Sequence, residues 1–259
     1  MKIITWSALK GGVGKTVLCY NFAEYLANKG YKILLIDFDH QCNLSQIYNC
    51  TYKYNNVTSI FDNEEVDIHK VKNNIDFISG SYAFDKMEDR KDLEDNRNFF
   101  VYMWFGDNYE MLKQYDYIMF DTHNDFKIGT RNAIACSDLV YSPDRPTGNN
   151  DNNEANIISR FQDYKEEMID VRTREQIIKA DLYFIGNMVK HNTSSSKEFL
   201  ENMQKRNGYL TYFDEKELFT SSVKNRYPVV QCFNDKQLSY IHKDFLNRFI
   251  SSCKILEAQ

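Results

Sequence analysis

The segment Lys10-Gly11-Gly12-Val13-Gly14-Lys15-Thr16 limits what this chain can become more than any other. Before it, Lys2 to Ala8 is a run of β-branched and aromatic residues without a breaker, which predicts a buried strand. After it, Leu18, Phe22, Ala23 and Leu26 recur at helical spacing, and Gly30 stands where a helix C-terminal cap would. Ile33-Leu34-Leu35-Ile36 is a second buried strand, ending at Asp37. Strand, glycine turn, helix and strand form a βαβ unit, which implies a parallel pair joined by a right-handed crossover. Further strands are predicted at 75–79, 117–120, 139–141 and 181–187, with helical patterns near 98–114, 128–137, 154–170, 194–206 and 235–250. The alternation predicts an α/β fold: a mostly parallel, twisted sheet with helices on both faces, three layers in all. Residues 143–153 (PDRPTGNNDNN) are too short to divide domains and read as a surface loop, so 1–259 is taken as one domain. The charged run 85–97 reads as a solvated helix face or loop.

The glycine turn has a chemical meaning. Gly11, Gly12 and Gly14 let backbone N–H groups turn inward and approach an anion closely. The helix after Lys15 adds the positive end of its dipole. Val13 and Val17 complete the segment, Lys15 reaches the β- and γ-phosphates of a nucleotide, and the Thr16 hydroxyl serves a Mg²⁺ ion. One position departs from the usual G-x-x-x-x-G-K-[ST] pattern: Leu9 replaces the first glycine, and a second lysine, Lys10, stands at the loop entrance.

Composition excludes several alternatives. Six cysteines show no C-x-x-C and no paired spacing, so neither a disulfide framework nor a zinc or iron–sulfur site has a local signature. No apolar run approaches the roughly 18 residues of a membrane span, and the N-terminus lacks the apolar region of a signal peptide, so a cytoplasmic location is expected. The net charge of −5 hides an asymmetry. Residues 172–259 hold 14 basic against 10 acidic residues, or +4, which leaves −9 for residues 1–171. A polyanion surface is therefore sought in the last third, among Lys190, His191, Lys197, Lys205, Arg206, Lys224 and Arg226, with 222–227 (SVKNRY) the favoured site.

Three segments together resemble the ParA/MinD superfamily of P-loop NTPases, on its ParA branch. The loop looks like the family's deviant Walker A motif. Residues 33–45 (ILLIDFDHQCNLS) resemble L-L-I-D-x-D-P-Q-x-N-x-[ST], and 115–122 (YDYIMFDT) resemble the Walker B segment Y-D-Y-I-x-x-D-T. Weaker likeness runs through 132–138 and 185–189. His40 stands in place of a proline after the second aspartate, and His123-Asn124 in place of Pro-Pro after Walker B.

The resemblance implies an ATPase that forms a homodimer across Mg²⁺-ATP and binds non-specific DNA on the nucleoid. It would hydrolyse ATP to ADP and phosphate, and drive plasmid or chromosome segregation with a small ParB-like centromere-binding protein. It implies that Asp39 orients the attacking water. Asp37 would support the Mg²⁺ shell or the loop, and Asp121 would hold a Mg²⁺-bound water. Lys10 would reach the partner's phosphates, where the plain reading has it contact its own nucleotide or solvent. Asn187, followed by Met188, would meet adenine, or else cap a strand end. DNA contacts would fall to Lys224, Arg226 and Lys190. Alternatives are a MinD-like positioning ATPase on a membrane and a P-loop small-molecule transferase. The apolar face of the last helix is expected to pack on the sheet rather than on lipid.

Overall fold

The computed structural model describes residues 1–93, 97–146 and 153–259. Its strands are β1 (Lys2–Trp6), β2 (Ile33–Phe38), β3 (His69–Lys72), β4 (Ile75–Ile78), β5 (Tyr117–Thr122), β6 (Leu139–Asp144), β7 (Asp181–Val189) and β8 (Tyr209–Asp214). They form one sheet in the order β3-β4-β2-β5-β1-β6-β7-β8, parallel throughout except for β3 against β4. The α-helices among the described residues are α1 (Lys15–Asn28), α2 (Asn43–Ile47), α3 (Ser59–Asp62), α4 (Phe100–Asp107), α5 (Tyr109–Leu112), α6 (Ile128–Cys136), α7 (Asn153–Glu167), α8 (Ser194–Gln204), α9 (Glu217–Lys224), α10 (Lys236–Ile241) and α11 (Lys243–Glu257).

Side chains on a strand alternate between faces, and the central strands use this to feed two cores. Ile33 and Leu35 of β2, with Tyr117 and Met119 of β5, enter a core shared with α1, α9 and α11. Leu34, Ile36 and Phe38, with Ile118 and Phe120, enter a second core with Val101 and Phe105 of α4 and Ile128 and Ala133 of α6. Burial on both faces is why β2 and β5 read as unbroken apolar runs. The α/β architecture with helices on both faces is thus the one expected.

Several boundaries differ. Pro143 and Asp144 do not open a loop; they extend β6 and align with Ile185 and Gly186 of β7. Of the segment read as a loop, 147–152 lie outside the described residues, and α7 begins at Asn153. The charged run folds into two short 3₁₀ turns, Phe84–Asp89 and Lys91–Leu93, with 94–96 outside the described residues. The pattern near 98–114 is two helices, and the one near 235–250 is two as well, the second continuing to Glu257. Strands β3 and β8 and helix α9 are not among the elements expected from the sequence. The two strands are the sheet edges, where one flank stays open and polar residues are tolerated. Helix α11 buries Phe245, Leu246, Phe249, Cys253 and Leu256 in the core that holds Phe213 and Phe219. Its apolar face is therefore covered, and no helix among the described residues is long and apolar enough to cross a membrane.

Candidate phosphate-binding site

Parallel strands deliver their C-terminal ends to one edge of the sheet, where open α/β sheets bind ligands. The register fixes three neighbours there: Asp121 of β5 aligns with Trp6 of β1 on one side and with Asp37 of β2 on the other. The chain leaving β1 turns through the glycine loop. Gly12 (φ 71°) and Gly14 (φ 87°) take the left-handed conformation that only glycine adopts without strain. Gly14 is the N-cap of α1, and no side chain caps that helix. No acidic residue lies in its first turn either, so the first N–H groups remain for an anion. The loop is braced from behind. Asn187 Nδ2 donates to the Val13 carbonyl at 2.8 Å, and a Cβ added at Gly14 would stand 2.3 Å from that nitrogen. The Met188 methyl would lie 3.5 Å from the same Cβ.

In front of the loop opens a cavity of about 670 Å³, lined by Gly11, Gly12, Gly14, Lys15, Thr16 and Val17 and, across from them, by Asp39 and Asn124. Lys15 is 8% exposed. Burial pulls its pKa below the usual lysine value, against the opposing pull of Asp121, Asp39 and Asp125. Asp121 is fully buried, and its carboxyl is raised well above the usual range by that burial and by the charge of Asp37. Thr16 and Lys15 lie near enough to favour its ionised form, yet neither carboxylate oxygen meets a donor at hydrogen-bond geometry. Asp37 is occupied differently. Oδ2 accepts from the backbone N (2.9 Å) and Oγ (2.6 Å) of Ser45, and Oδ1 accepts from Asp39 N at 3.1 Å. Burial raises it to about 6 in spite of these bonds. Asp39 follows β2 in a turn and is 6% exposed. Its Oδ1 accepts from Gln41 N at 2.9 Å and lies 2.9 Å from His123 Nδ1.

The other expected residues are spread around this centre. Lys224 and Arg226 line the same cavity at its rim, rather than a remote face. Arg226 also donates to the Gln46 carbonyl at 3.1 Å. Lys190 is not among the lining residues; it is exposed and faces Glu215 at 3.6 Å. Arg206 is engaged with Asp144 at 3.1 Å and leaves the basic surface. Lys10 lines a separate small cleft with Asp144 and Phe184, beside the loop and not in front of it. Two further residues stand at the loop: Asn124, noted above only as a replacement after the Walker B segment, and Arg145, which no motif marks. Asn124 Nδ2 lies 3.4 Å from a Cβ built on Gly11. Arg145 stands with its Nη1 and Nη2 3.9 Å from a Cβ built on Gly12, its Nε buried without a hydrogen-bond partner among the described residues. Arg145 belongs to the stretch read as a surface loop, where nothing local sets one arginine apart.

Residues 1–171 match the family described as AAA domain (AAA_31). The chromosome-partitioning ATPase Soj of Treponema pallidum is 28% identical over 152 residues, which is 55% of this chain and 56% of that protein. The sporulation initiation inhibitor protein Soj of Bacillus subtilis is 30% identical over 153 residues, 55% of this chain and 57% of that one. The chain thus spans about half the length of these relatives. Among solved structures, a putative plasmid partition protein of Borrelia burgdorferi bound to AMPPNP superposes with a TM-score of 0.78 at 22% identity, over 99% of this chain and 98% of that one. Apo McdA of Cyanothece superposes with a TM-score of 0.81 at 15% identity, over 99% of both chains. At these identities the structural likeness establishes the fold.

Proposed function

Because the chain belongs to the AAA domain family and has Soj-type partition ATPases among its relatives, we propose that residues 1–259 act as one ParA-type partition ATPase domain. In this reading Mg²⁺-ATP closes a homodimer that binds DNA without sequence preference, and hydrolysis to ADP and phosphate releases it. A small ParB-like partner bound to a centromere would stimulate the hydrolysis, on the nucleoid. The observation that carries the reading is the convergence of Lys15, Thr16 and Asp39 on one cavity in front of the glycine loop, with Asp121 buried beside them.

Phosphoryl transfer is mainly positioning and charge neutralisation. The loop N–H groups and α1 hold the phosphates, and the Lys15 ammonium, little solvated, faces them at full strength. The unpartnered oxygens of Asp121 beside Thr16 fit a hydrated Mg²⁺: Thr16 would ligate it and Asp121 would hold one of its waters. Bound Mg²⁺ would neutralise charge on the β- and γ-phosphates. Asp37, already carrying Ser45 and Asp39, serves the loop rather than the ion shell. Asp39, held by Gln41 and His123, would orient the attacking water. Asn187 steadies the loop through Val13, so an adenine contact would fall to its amide oxygen and its second N–H.

Lys10 is not among the residues that line its own phosphate cavity, which supports the role in trans. The Lys10→Ala chain should bind one nucleotide per monomer and fail to dimerise with ATP; light scattering that shows a normal ATP dimer would refute that role. Lys224→Ala with Arg226→Ala should weaken binding equally on unrelated DNA sequences. It should also flatten log affinity against log salt by roughly one to two units. Because both residues also rim the nucleotide cavity, ATP affinity is measured on the same variant, and an unchanged salt slope would place the DNA surface elsewhere. The reading as a whole is tested by ATP-dependent retention on non-specific DNA against retention on anionic vesicles. Capture by vesicles alone would favour a membrane-positioning ATPase, and capture by neither would remove the partition reading.

A further inference from the structure

Two histidines stand where the resembled family has prolines, and the fold brings them together. His40 follows β2 and His123 follows β5, and these strands are neighbours in the sheet. The two rings lie 4.3 Å apart between centroids. Both face one oxygen: Asp39 Oδ1 is 2.9 Å from His123 Nδ1 and 4.0 Å from His40 Nδ1. One ligand atom from each of the three residues lies within 4.8 Å of the others. Both imidazoles open onto a second cavity, of about 190 Å³, whose wall carries Asp85, Glu88 and Asp125 with Lys127.

We propose that Asp39, His40 and His123 form a binding site for a borderline divalent metal ion of the Zn²⁺ class, distinct from the Mg²⁺ position but sharing Asp39 with the nucleotide cavity. The donor set supports the choice of ion. Imidazole nitrogen suits Zn²⁺, Ni²⁺ or Cu²⁺, whereas Mg²⁺ takes oxygen and keeps its waters. Bonds of about 2.0–2.1 Å set tetrahedral ligand atoms roughly 3.3 Å apart, and the observed 2.9 and 4.0 Å bracket that spacing. The carboxylate is 8% exposed and fixed, while the histidine side chains, 33% and 21% exposed, have room to turn toward a shared ion. Three protein ligands leave a position for water, filled from the acidic cavity. An ion held there takes Asp39 Oδ1, so bound Zn²⁺ stops hydrolysis; this second part rests on the ATPase reading given above.

The test is calorimetric titration of the chelator-stripped full chain with Zn²⁺ alone, in excess Mg²⁺ and without nucleotide. One Zn²⁺ per chain is expected, with affinity at least tenfold weaker in His40→Ala or His123→Ala and at least a hundredfold weaker in the double variant. Cys42 is the nearby thiol, its Sγ 3.6 Å from the His40 carbonyl and its pKa pushed up to about 12 by burial; Cys42→Ser should bind as wild type does. Unchanged melting of the histidine variants confirms that they fold. No zinc binding by wild type, wild-type affinity in the double variant, or loss in Cys42→Ser would each overturn the site. Hydrolysis is then compared with and without Zn²⁺ for each protein. The ratio should fall at least tenfold in wild type and stay near one in the double variant. Zinc bound through the histidines without inhibition would keep the site and overturn its effect. Absence of hydrolysis in every zinc-free protein supplied with Mg²⁺-ATP would count against the ATPase reading alone, since the titration measures zinc binding without any turnover.

Discussion

Asp39→Ala should bind Mg²⁺-ATP nearly as wild type does and hydrolyse it at least a hundredfold more slowly, a loss of about 2.7 kcal/mol. The glycine loop, Lys15 and Thr16 supply ground-state binding, and Asp39 lies across the cavity from them. Its removal should therefore cost stabilisation of the transition state and little affinity. The variant should persist as a DNA-bound dimer where wild type decays as ATP is consumed. Lys10→Ala should do the reverse and never assemble. The measurement is dissociation from immobilised non-specific DNA after ATP is washed out. Departure at the wild-type rate, or failure to bind ATP, would make Asp39 structural and pass the water to another residue, with Asp37 the first to examine.

Gly14→Ala should lower ATP affinity by roughly 30-fold or more, about 2 kcal/mol. Two costs meet at this position. The backbone at φ 87° is strained for any residue with a Cβ, worth about 1–3 kcal/mol. The new methyl would also stand 2.3 Å from Asn187 Nδ2, the nitrogen that holds the Val13 carbonyl. Relief requires the Asn187 amide to turn aside, which costs the loop its bond at the Val13 carbonyl. Gly11→Ala is the control: its Cβ would meet only the Asn124 amide, Nδ2 at 3.4 Å and Cγ at 3.9 Å, and its φ is not in the left-handed region. Titration with a fluorescent ATP analogue and a thermal melt distinguish the two. Equal affinities for Gly14→Ala and Gly11→Ala would show that the loop does not depend on its observed conformation.

The residues around these two sites show what a linear sequence can carry. The glycine loop is legible because its chemistry is local: the strand, the glycines and the helix N-terminus are all in one short stretch. The two buried strands β2 and β5 are legible for the same reason, since burial on both faces leaves a continuous apolar run. His123 and Asp39 are 84 residues apart and meet only because β5 sits beside β2 in the sheet order. No periodicity announces that neighbour relation. Arg145 is hidden in the same way, by the crossing of β6 back to the other side of β1. The edge strands β3 and β8 are hard to read because their sequences mix polar and apolar residues, as open edges permit. Lys224 and Arg226 are recognisable as basic residues, but their place on the rim of the nucleotide cavity follows from the packing of α9 against α1.

That packing runs through one side chain. Asn21, in the middle of α1, donates through Nδ2 to the Val17 carbonyl at 2.9 Å and to Ser222 Oγ of α9 at 3.0 Å, and its Oδ1 accepts from Val229 N at 2.9 Å. Buried polar groups satisfied in this way hold their elements in one arrangement. The helix that follows the phosphate loop and the helix that ends at Lys224 are thus bolted together, and Arg226 adds its bond to Gln46. These bonds tie the rim to its own loop, so the two are placed together. Under the proposed partition reading, ATP control of DNA affinity would then act through valence. Two fixed rims brought side by side double the number of phosphates neutralised, and the salt slope scales with that number. The ATP dimer should therefore show about twice the slope of the monomer, with each rim unchanged in itself.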